Sequence, residues 1–74
     1  MPTTADTMVL REMCLDILRE RNCTADEVAE ILSRSVLSIR PRISELNRLG
    51  FIRDSLKRRR NASGHGAIVW EVCL

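Results

Sequence analysis

No apolar run in this sequence approaches the roughly 20 residues that a helix needs to cross a bilayer. Residues 1–7 contain no lysine or arginine and precede no unbroken apolar stretch, so the parts of a secretory signal peptide are missing. We therefore expect a cytoplasmic protein that does not enter a membrane. Its 74 residues allow one domain spanning 1–74, because smaller pieces would bury too little apolar surface to fold.

Cysteine and histidine are too few and too scattered to predict a metal site or a catalytic site. Cys14, Cys23 and Cys73 are odd in number and widely spaced, which fits neither a disulfide framework nor a zinc site, and His65 has no second histidine. No glycine-rich phosphate loop, paired carboxylates or serine, histidine and acid constellation stands out. We expect no enzymatic activity, metal, cofactor or small-molecule ligand, and we expect Cys14 to be a reduced core thiol.

Charge is segregated along the chain, although the formal net charge is only +2. Residues 1–33 hold three arginines against seven acidic residues, whereas residues 34–60 hold nine basic residues against two acidic ones. A solvated surface usually mixes the two signs. The pattern is therefore typical of a protein with a footprint for a polyanion such as nucleic acid.

Two amphipathic helices are predicted in the first half of the chain. From about Thr7 to Arg21, apolar residues recur at the spacing of one helix face. Thr24 and Glu27 form a capping box, in which each side chain satisfies a free backbone donor at the start of the second helix. Residues 33–35 end that helix.

A third helix is predicted from near Ser38 to Leu49. Gly50 follows it and supplies the left-handed conformation of a C-cap. We place Pro41 in the first turn, where no intrahelical donor is needed, and residues 36–37 in the preceding turn. The apolar residues that face inward from this helix are Ile39, Ile43 and Leu46.

Two β-prone runs, 51–56 and 67–72, follow the third helix. Residues 57–66 separate them and are rich in Arg, Asn, Ser and Gly, so we predict a hairpin with a long tip. In the second run Ile68, Trp70 and Val72 alternate with the other residues, which predicts that their face lies on the helices and that Trp70 belongs to the core. The predicted fold class is α+β and mainly α.

This order of elements resembles the winged helix-turn-helix family over about residues 8 to 72. Residues 40–52, Arg-Pro-Arg-Ile-Ser-Glu-Leu-Asn-Arg-Leu-Gly-Phe-Ile, are similar to its recognition helix and first wing strand. Residues 58–71 are similar to the wing of small phage and prophage proteins. Ser33 departs from the family pattern, because many members have glycine there, and Arg34 stands where a hydrophobic residue is common. The resemblance implies a three-helix fold with a C-terminal β-hairpin wing and a DNA-binding function.

The third helix is the predicted reader of DNA, because an α-helix fits the major groove. Arg40 is the first candidate for a base contact, since a guanidinium pairs with guanine O6 and N7. Ser38 and Ser44 are candidates for phosphate contact, and Arg34 for holding the DNA backbone beside the helix start. The other predicted DNA-binding residues of this helix are Asn47 and Arg48 on the outward side and Arg42 on a flank.

The predicted wing tip adds a basic cluster to this helix. A flexible tip of this kind suits phosphate or minor-groove contact and makes affinity strongly dependent on salt. The alternative is a solubilising turn. The candidate DNA-binding residues of the tip are the cations Lys57, Arg58, Arg59 and Arg60 and the hydrogen-bonding residues Asn61, Ser63 and His65.

The leading hypothesis is a sequence-specific regulator of double-stranded DNA from a phage or prophage. A homodimer is one way to extend its site, with Met8, Val9 or residues 72–74 supplying the contact. The alternatives are a winged-helix module that binds another protein, as a phage-encoded inhibitor or accessory subunit, and a protein that recognises structured RNA by shape. Leu37 is open: it packs under the turn, or it is exposed to a thymine methyl or a partner protein. The leading hypothesis requires the arginines after Ser33 to lie on the same side as the hairpin tip.

Overall fold

A computed structural model describes residues 4–61 and 64–73 of the chain. Three helices are followed by an antiparallel two-stranded hairpin, which confirms the predicted winged helix-turn-helix, α+β and mainly α. The elements are α1 (Thr4–Glu20), α2 (Ala25–Leu32), α3 (Val36–Arg48), β1 (Ile52–Arg60) and β2 (Gly66–Val72).

The hydrophobic core lies where the three helices meet the base of the hairpin. Cys14 and Leu18 of α1 pack there against residues of α2, α3 and β1. Trp70 and Val72 of β2 are half-buried and pack against the same cluster, as predicted. The backbone N–H of Trp70 also donates to the Cys23 carbonyl at 2.8 Å, which ties the α1–α2 connection to the sheet. The buried core residues are Cys14, Leu15, Leu18, Cys23, Val28, Ala29, Ile39, Ile43, Leu46 and Ile52.

Burial makes the cysteines unequal in reactivity. Desolvation by burial raises the pKa of the Cys14 thiol to about 11 and also raises the pKa of Cys23, whereas Cys73 is only half-buried. The thiolate is the reactive form, so we expect Cys73 alone to react with an aromatic disulfide reagent at neutral pH. Counting reacted thiols in native protein and again in denaturant checks this. Rapid reaction of Cys14 in folded protein would contradict the burial.

Both ends of α2 are closed by the chain's own polar groups. The predicted capping box is present: the Thr24 hydroxyl accepts the Glu27 N–H at 3.1 Å, and the Glu27 carboxylate accepts the Thr24 N–H at 2.8 Å. Ser33 ends the helix in the left-handed region, with φ 54°. The N–H of Arg34 then reaches the Ala29 carbonyl at 2.9 Å, which is a Schellman-type closure. Ser33 therefore adopts the conformation that glycine favours at this position.

The predicted start of α3 near Ser38 is wrong, because the helix begins at Val36. Ser35 is the N-cap, and its hydroxyl accepts the N–H of Leu37 at 3.2 Å. Pro41 consequently lies beyond the first turn. It lacks the N–H that would meet the Leu37 carbonyl, but Leu37 is exposed, so water can reach the unpaired group.

The end of α3 is as predicted. Gly50 has φ +87°, and the N–H of Phe51 donates to the Leu46 carbonyl at 3.0 Å. This pattern closes the helix and turns the chain into β1.

The predicted long wing tip is also wrong, because β1 continues through the basic run. Arg58, Arg59 and Arg60 pair with Ile68, Ala67 and Gly66 of β2. The ladder is irregular between Asp54 and Arg58, where Leu56 has φ 69°. Only residues 61–65 thus separate the two strands in sequence, and the N–H of Asn61 donates to the His65 carbonyl at 3.0 Å.

The irregularity in β1 changes the burial of β2. Residues 55–57 occupy the stretch of β1 opposite Val69, because Asp54 pairs with Trp70 and Arg58 with Ile68. Val69 is 2% exposed, although simple alternation places it on the face away from the helices. The predicted alternation therefore holds for Trp70 and Val72 and is wrong for Val69.

Candidate nucleic-acid interface

One side of α3 is left uncovered by the rest of the described fold. Leu37, Pro41, Ser44 and Arg48 follow one another at intervals of three or four residues, opposite the buried side of the helix. We call these four residues the outer stripe. All four are exposed. Leu37 is 76% exposed, so of the two alternatives left open by the sequence it is exposed and does not pack under the turn.

Arg40 and Asn47 lie two turns apart on the flank of α3 that faces α2 and the wing. Both are exposed, as predicted. Arg40 does not project freely, because its Nη2 lies 3.7 Å from Asp26 Oδ1 at the start of α2. The predicted base reader is therefore at the edge of the exposed helix surface, beside a carboxylate.

The opposite flank of α3 faces α1. Ser38 is exposed there, but the side chain of Arg42 is only 18% exposed. Arg42 Nε lies 2.6 Å from Glu45 Oε1, and the same oxygen lies 3.7 Å from Arg11 Nη1. Glu45 thus joins α3 to Arg11 of α1, and Arg42, which pairs with Glu45, lines the groove between these two helices.

On the wing, Arg59 is held against the helices. Its Nη1 donates to both carboxylate oxygens of Glu27 at 2.6 Å. Desolvation opposes ionisation of Glu27, but hydrogen bonds from the Thr24 backbone and from Arg59 outweigh it and lower the pKa of the carboxyl. One carboxylate therefore caps α2 and anchors the wing.

This anchor predicts a specific loss of stability in acid. Because the pKa of Glu27 is lower in the folded protein, its stabilisation is complete above the unfolded value near 4.5 and is lost as pH falls through the folded value. Glu27→Gln keeps a capping-box residue but removes the charge. Urea unfolding at a series of pH values should show that the free energies of unfolding of wild type and Glu27→Gln converge below about pH 4.5. In an Arg59→Gln background, the stability difference caused by Glu27→Gln should be smaller at neutral pH. A difference between wild type and Glu27→Gln that stays constant down to acid unfolding would contradict the role of Glu27 as an anchor.

Arg58 lies on the other face of β1, with its guanidinium against Asp54 at 2.9 Å. Hydrogen bonds from Arg58 and from the Leu56 backbone lower the pKa of Asp54. The carboxylate thus fixes the backbone irregularity and offsets part of the wing's charge.

Four of the predicted cations have no carboxylate partner among residues 4–61 and 64–73. All four are exposed. Arg34 precedes α3, Arg48 ends it, and the other two lie on β1. We call this set the unpaired cations: Arg34, Arg48, Lys57 and Arg60.

A groove of about 360 Å³ separates α3 from the wing tip. Arg40 lines it on the helix side, and Asn61 and His65 line it on the wing side. The Asn61 side chain accepts the backbone N–H of His65 at 3.1 Å, so it also shapes the turn. Ser63 lies outside the described residues.

The arginines after Ser33 are therefore only partly gathered. Arg40 adjoins the wing tip across the groove, whereas Arg42 lines the groove between α3 and α1. Arg53 lies at the base of the hairpin, where it pairs with Glu71 at 2.7 Å and lines a groove with Arg19. The ion pairs of these arginines were not predicted from the sequence. The role of Glu27 in the capping box was predicted, but its ion pair with Arg59 joins residues far apart in sequence and has no local sequence pattern.

A second groove, of about 550 Å³, runs between α1 and the start of α3. Val9, Leu10, Met13 and Leu37 give it apolar walls. Met8 and Val9, the residues suggested for a homodimer contact, are both exposed. Of the C-terminal residues suggested for that contact, Val72 and Cys73 are half-buried and Leu74 lies outside the described residues.

Within the described residues, no three His, Cys, Asp or Glu side chains cluster closely enough to hold a metal ion. None of the helices in that part of the chain combines the length and apolarity needed to span a membrane.

Comparison with known proteins supports the fold. No family model and no curated protein matches the chain. A cysteine-to-serine mutant of Lactococcus lactis ZitR superposes with a TM-score of 0.67 and 22% identity, over 88% of this chain and 42% of that one. A glutamate-to-alanine mutant of the same protein gives 0.53 and 18%, over 99% and 44%. The chain thus spans less than half the length of these structural neighbours, and at these identities the likeness shows a shared fold.

Proposed function

We propose that this protein is a sequence-specific regulator that binds double-stranded DNA in the cytoplasm and catalyses no reaction. The observation that carries the proposal is the exposed outer stripe of α3, which the rest of the described fold leaves open beside a basic wing. A helix presented in this way fits the major groove, where base edges differ in their donors and acceptors.

The two parts of the surface have different roles in the proposal. The part of the outer stripe before Arg48 reads base edges, while the wing contacts the DNA backbone or the minor groove. The unpaired cations contact phosphates, because they have no carboxylate to give up among the described residues. Arg40, Arg58 and Arg59 contribute less, since each must leave Asp26, Asp54 or Glu27 to reach a phosphate.

The shared fold with ZitR supports a winged helix-turn-helix scaffold, and a scaffold hosts many functions. The phage or prophage role depends on the resemblance of residues 58–71 to small proteins of that source. Selection of bound fragments from the source genome tests it. Enrichment of fragments from an integrated phage supports that role, and enrichment only elsewhere in the chromosome counts against it.

The function itself is tested with a labelled random-sequence duplex, titrated by fluorescence anisotropy at several salt concentrations. The unpaired cations predict a log–log salt slope of at least about 3 in magnitude, since each neutralised phosphate contributes about 0.9. Selection from a random library should then yield one motif. Failure to bind any duplex at about 50 mM salt would contradict the proposal.

A protein-binding module is the second candidate, and the apolar groove between α1 and α3 is the observation that favours it. A second copy of the chain could bind the same groove, since Val9, one of the residues suggested for a homodimer contact, lines it and is exposed. Sedimentation of the free protein and of its DNA complex distinguishes a monomer from a homodimer. If the DNA complex contains a dimer, loss of the dimer in Val9→Asp supports this contact. A dimer that persists in Val9→Asp places the contact elsewhere.

A further inference from the structure

The N-terminal part of the outer stripe of α3 is apolar, and this is the part of a DNA-reading helix that contacts bases. Leu37 is the second residue of α3 and is 76% exposed, and Pro41 follows it one turn later. Residues in the N-terminal part of a recognition helix are those that reach base edges. The two residues are neighbours on the outer stripe, so together they form an apolar surface that the described fold leaves exposed.

The chemistry of the major groove identifies one partner for these two residues. Donors and acceptors dominate the base edges there, and the thymine C5-methyl is the apolar group among them. We propose that Leu37 and Pro41 form an apolar contact for thymine methyl groups, and that this contact selects A·T pairs where the start of α3 meets the DNA. The inference depends on the proposed DNA-binding function.

Arg40 and Arg48, the arginines on the exposed side and flank of α3, are poorly placed to read guanine at this position. Arg48 is on the outer stripe, but eleven residues after Leu37 it lies about 16 Å further along the helix. Arg40 lies on the flank and faces Asp26 at 3.7 Å. The N-terminal part of the stripe therefore presents methyl and methylene groups, whereas its far end presents a cation.

The charge around the apolar pair favours a polyanion over an apolar segment of a protein. Arg34 precedes α3 and Arg48 ends it, and both are unpaired cations. The single acidic residue of α3, Glu45, is engaged by Arg42 and by Arg11 of α1. Apolar side chains flanked by exposed cations match thymine methyls flanked by phosphates.

The test compares one selected duplex made with thymine and the same duplex made with deoxyuridine, which lacks only the methyl. Wild-type protein should bind the thymine duplex about fourfold more tightly for each contacted methyl, the value of one buried methyl-sized group. Leu37→Ala should bind thymine DNA more weakly and lower this ratio about fourfold for each methyl that Leu37 contacts, because only the contact made by Pro41 is left. Its salt slope should equal that of wild type, because no charge is removed.

Leu49→Ala is the matched control, since Leu49 is also exposed but follows the end of α3 and lies off the outer stripe. It should keep the wild-type preference for thymine. Equal binding of both duplexes by wild type, or an undiminished preference in Leu37→Ala, would overturn the inference and leave the proposed function standing. Absence of wild-type binding to every duplex would overturn both and favour a protein partner for Leu37.

Discussion

Replacing Arg48 and Arg60 together with glutamine is expected to reduce the salt slope of DNA binding by about 2. These two unpaired cations lie on different elements, one at the end of α3 and one at the last residue of β1. Neither has a carboxylate partner among the described residues, so each is free to displace a counterion from a phosphate. Anisotropy titrations between about 50 and 200 mM salt measure the slope.

The matched control removes the same number of charges from arginines that are paired with carboxylates. Arg19 and Arg53 line a groove at the base of the hairpin, and each pairs with an acidic residue. Arg19→Gln with Arg53→Gln should change the slope by well under one. An equal reduction of the salt slope in the two double variants would mean that binding depends on the net charge of the protein and not on a particular surface.

Replacing Leu46 with alanine is expected to destabilise the fold by about 2 to 5 kcal/mol, the usual cost for a buried leucine. Leu46 is 2% exposed and lies on the inward side of α3. A domain of this size is stabilised by about 4 to 11 kcal/mol in total, so the loss is a large part of it. Urea unfolding followed by circular dichroism gives the value.

Leu37→Ala is the internal comparison for this prediction. It makes the same chemical change on the same helix, but the side chain is exposed and touches little of the fold. The variant should lie within about 0.5 kcal/mol of wild type. A cost similar to that of Leu46→Ala would show that Leu37 is buried and would remove it from the proposed interface.

Local patterns predicted the elements and most of the core. The inward residues of α3 follow from apolar periodicity, and the start of α2 follows from Thr24 and Glu27, because both signals act over one or two helical turns. The wrong boundaries have local causes as well. Ser35 caps α3 earlier than the position of Pro41 suggested, and cross-strand pairing carries β1 through arginines that were predicted as a loop.

The candidate site was less predictable, because ion pairing depends on the tertiary fold. Arg59 and Glu27 are 32 residues apart in sequence, and no local rule brings them together. Arg40 and Arg42 are two positions apart in sequence, yet Arg40 lies beside Asp26 of α2 and Arg42 lies beside α1. The sequence identified a basic half of the chain, while the fold determines which of its cations are left without a partner.

Amide chemical shifts of isotope-labelled protein, followed during titration with the selected duplex, identify the residues that contact DNA. We expect the largest changes at Leu37, Ser44 and Arg48 of the outer stripe and at Lys57 and Arg60 of the wing, with small changes at Asp16 and Glu20 on the exposed side of α1. Changes centred on α1, with the outer stripe and the wing unaffected, would contradict the account.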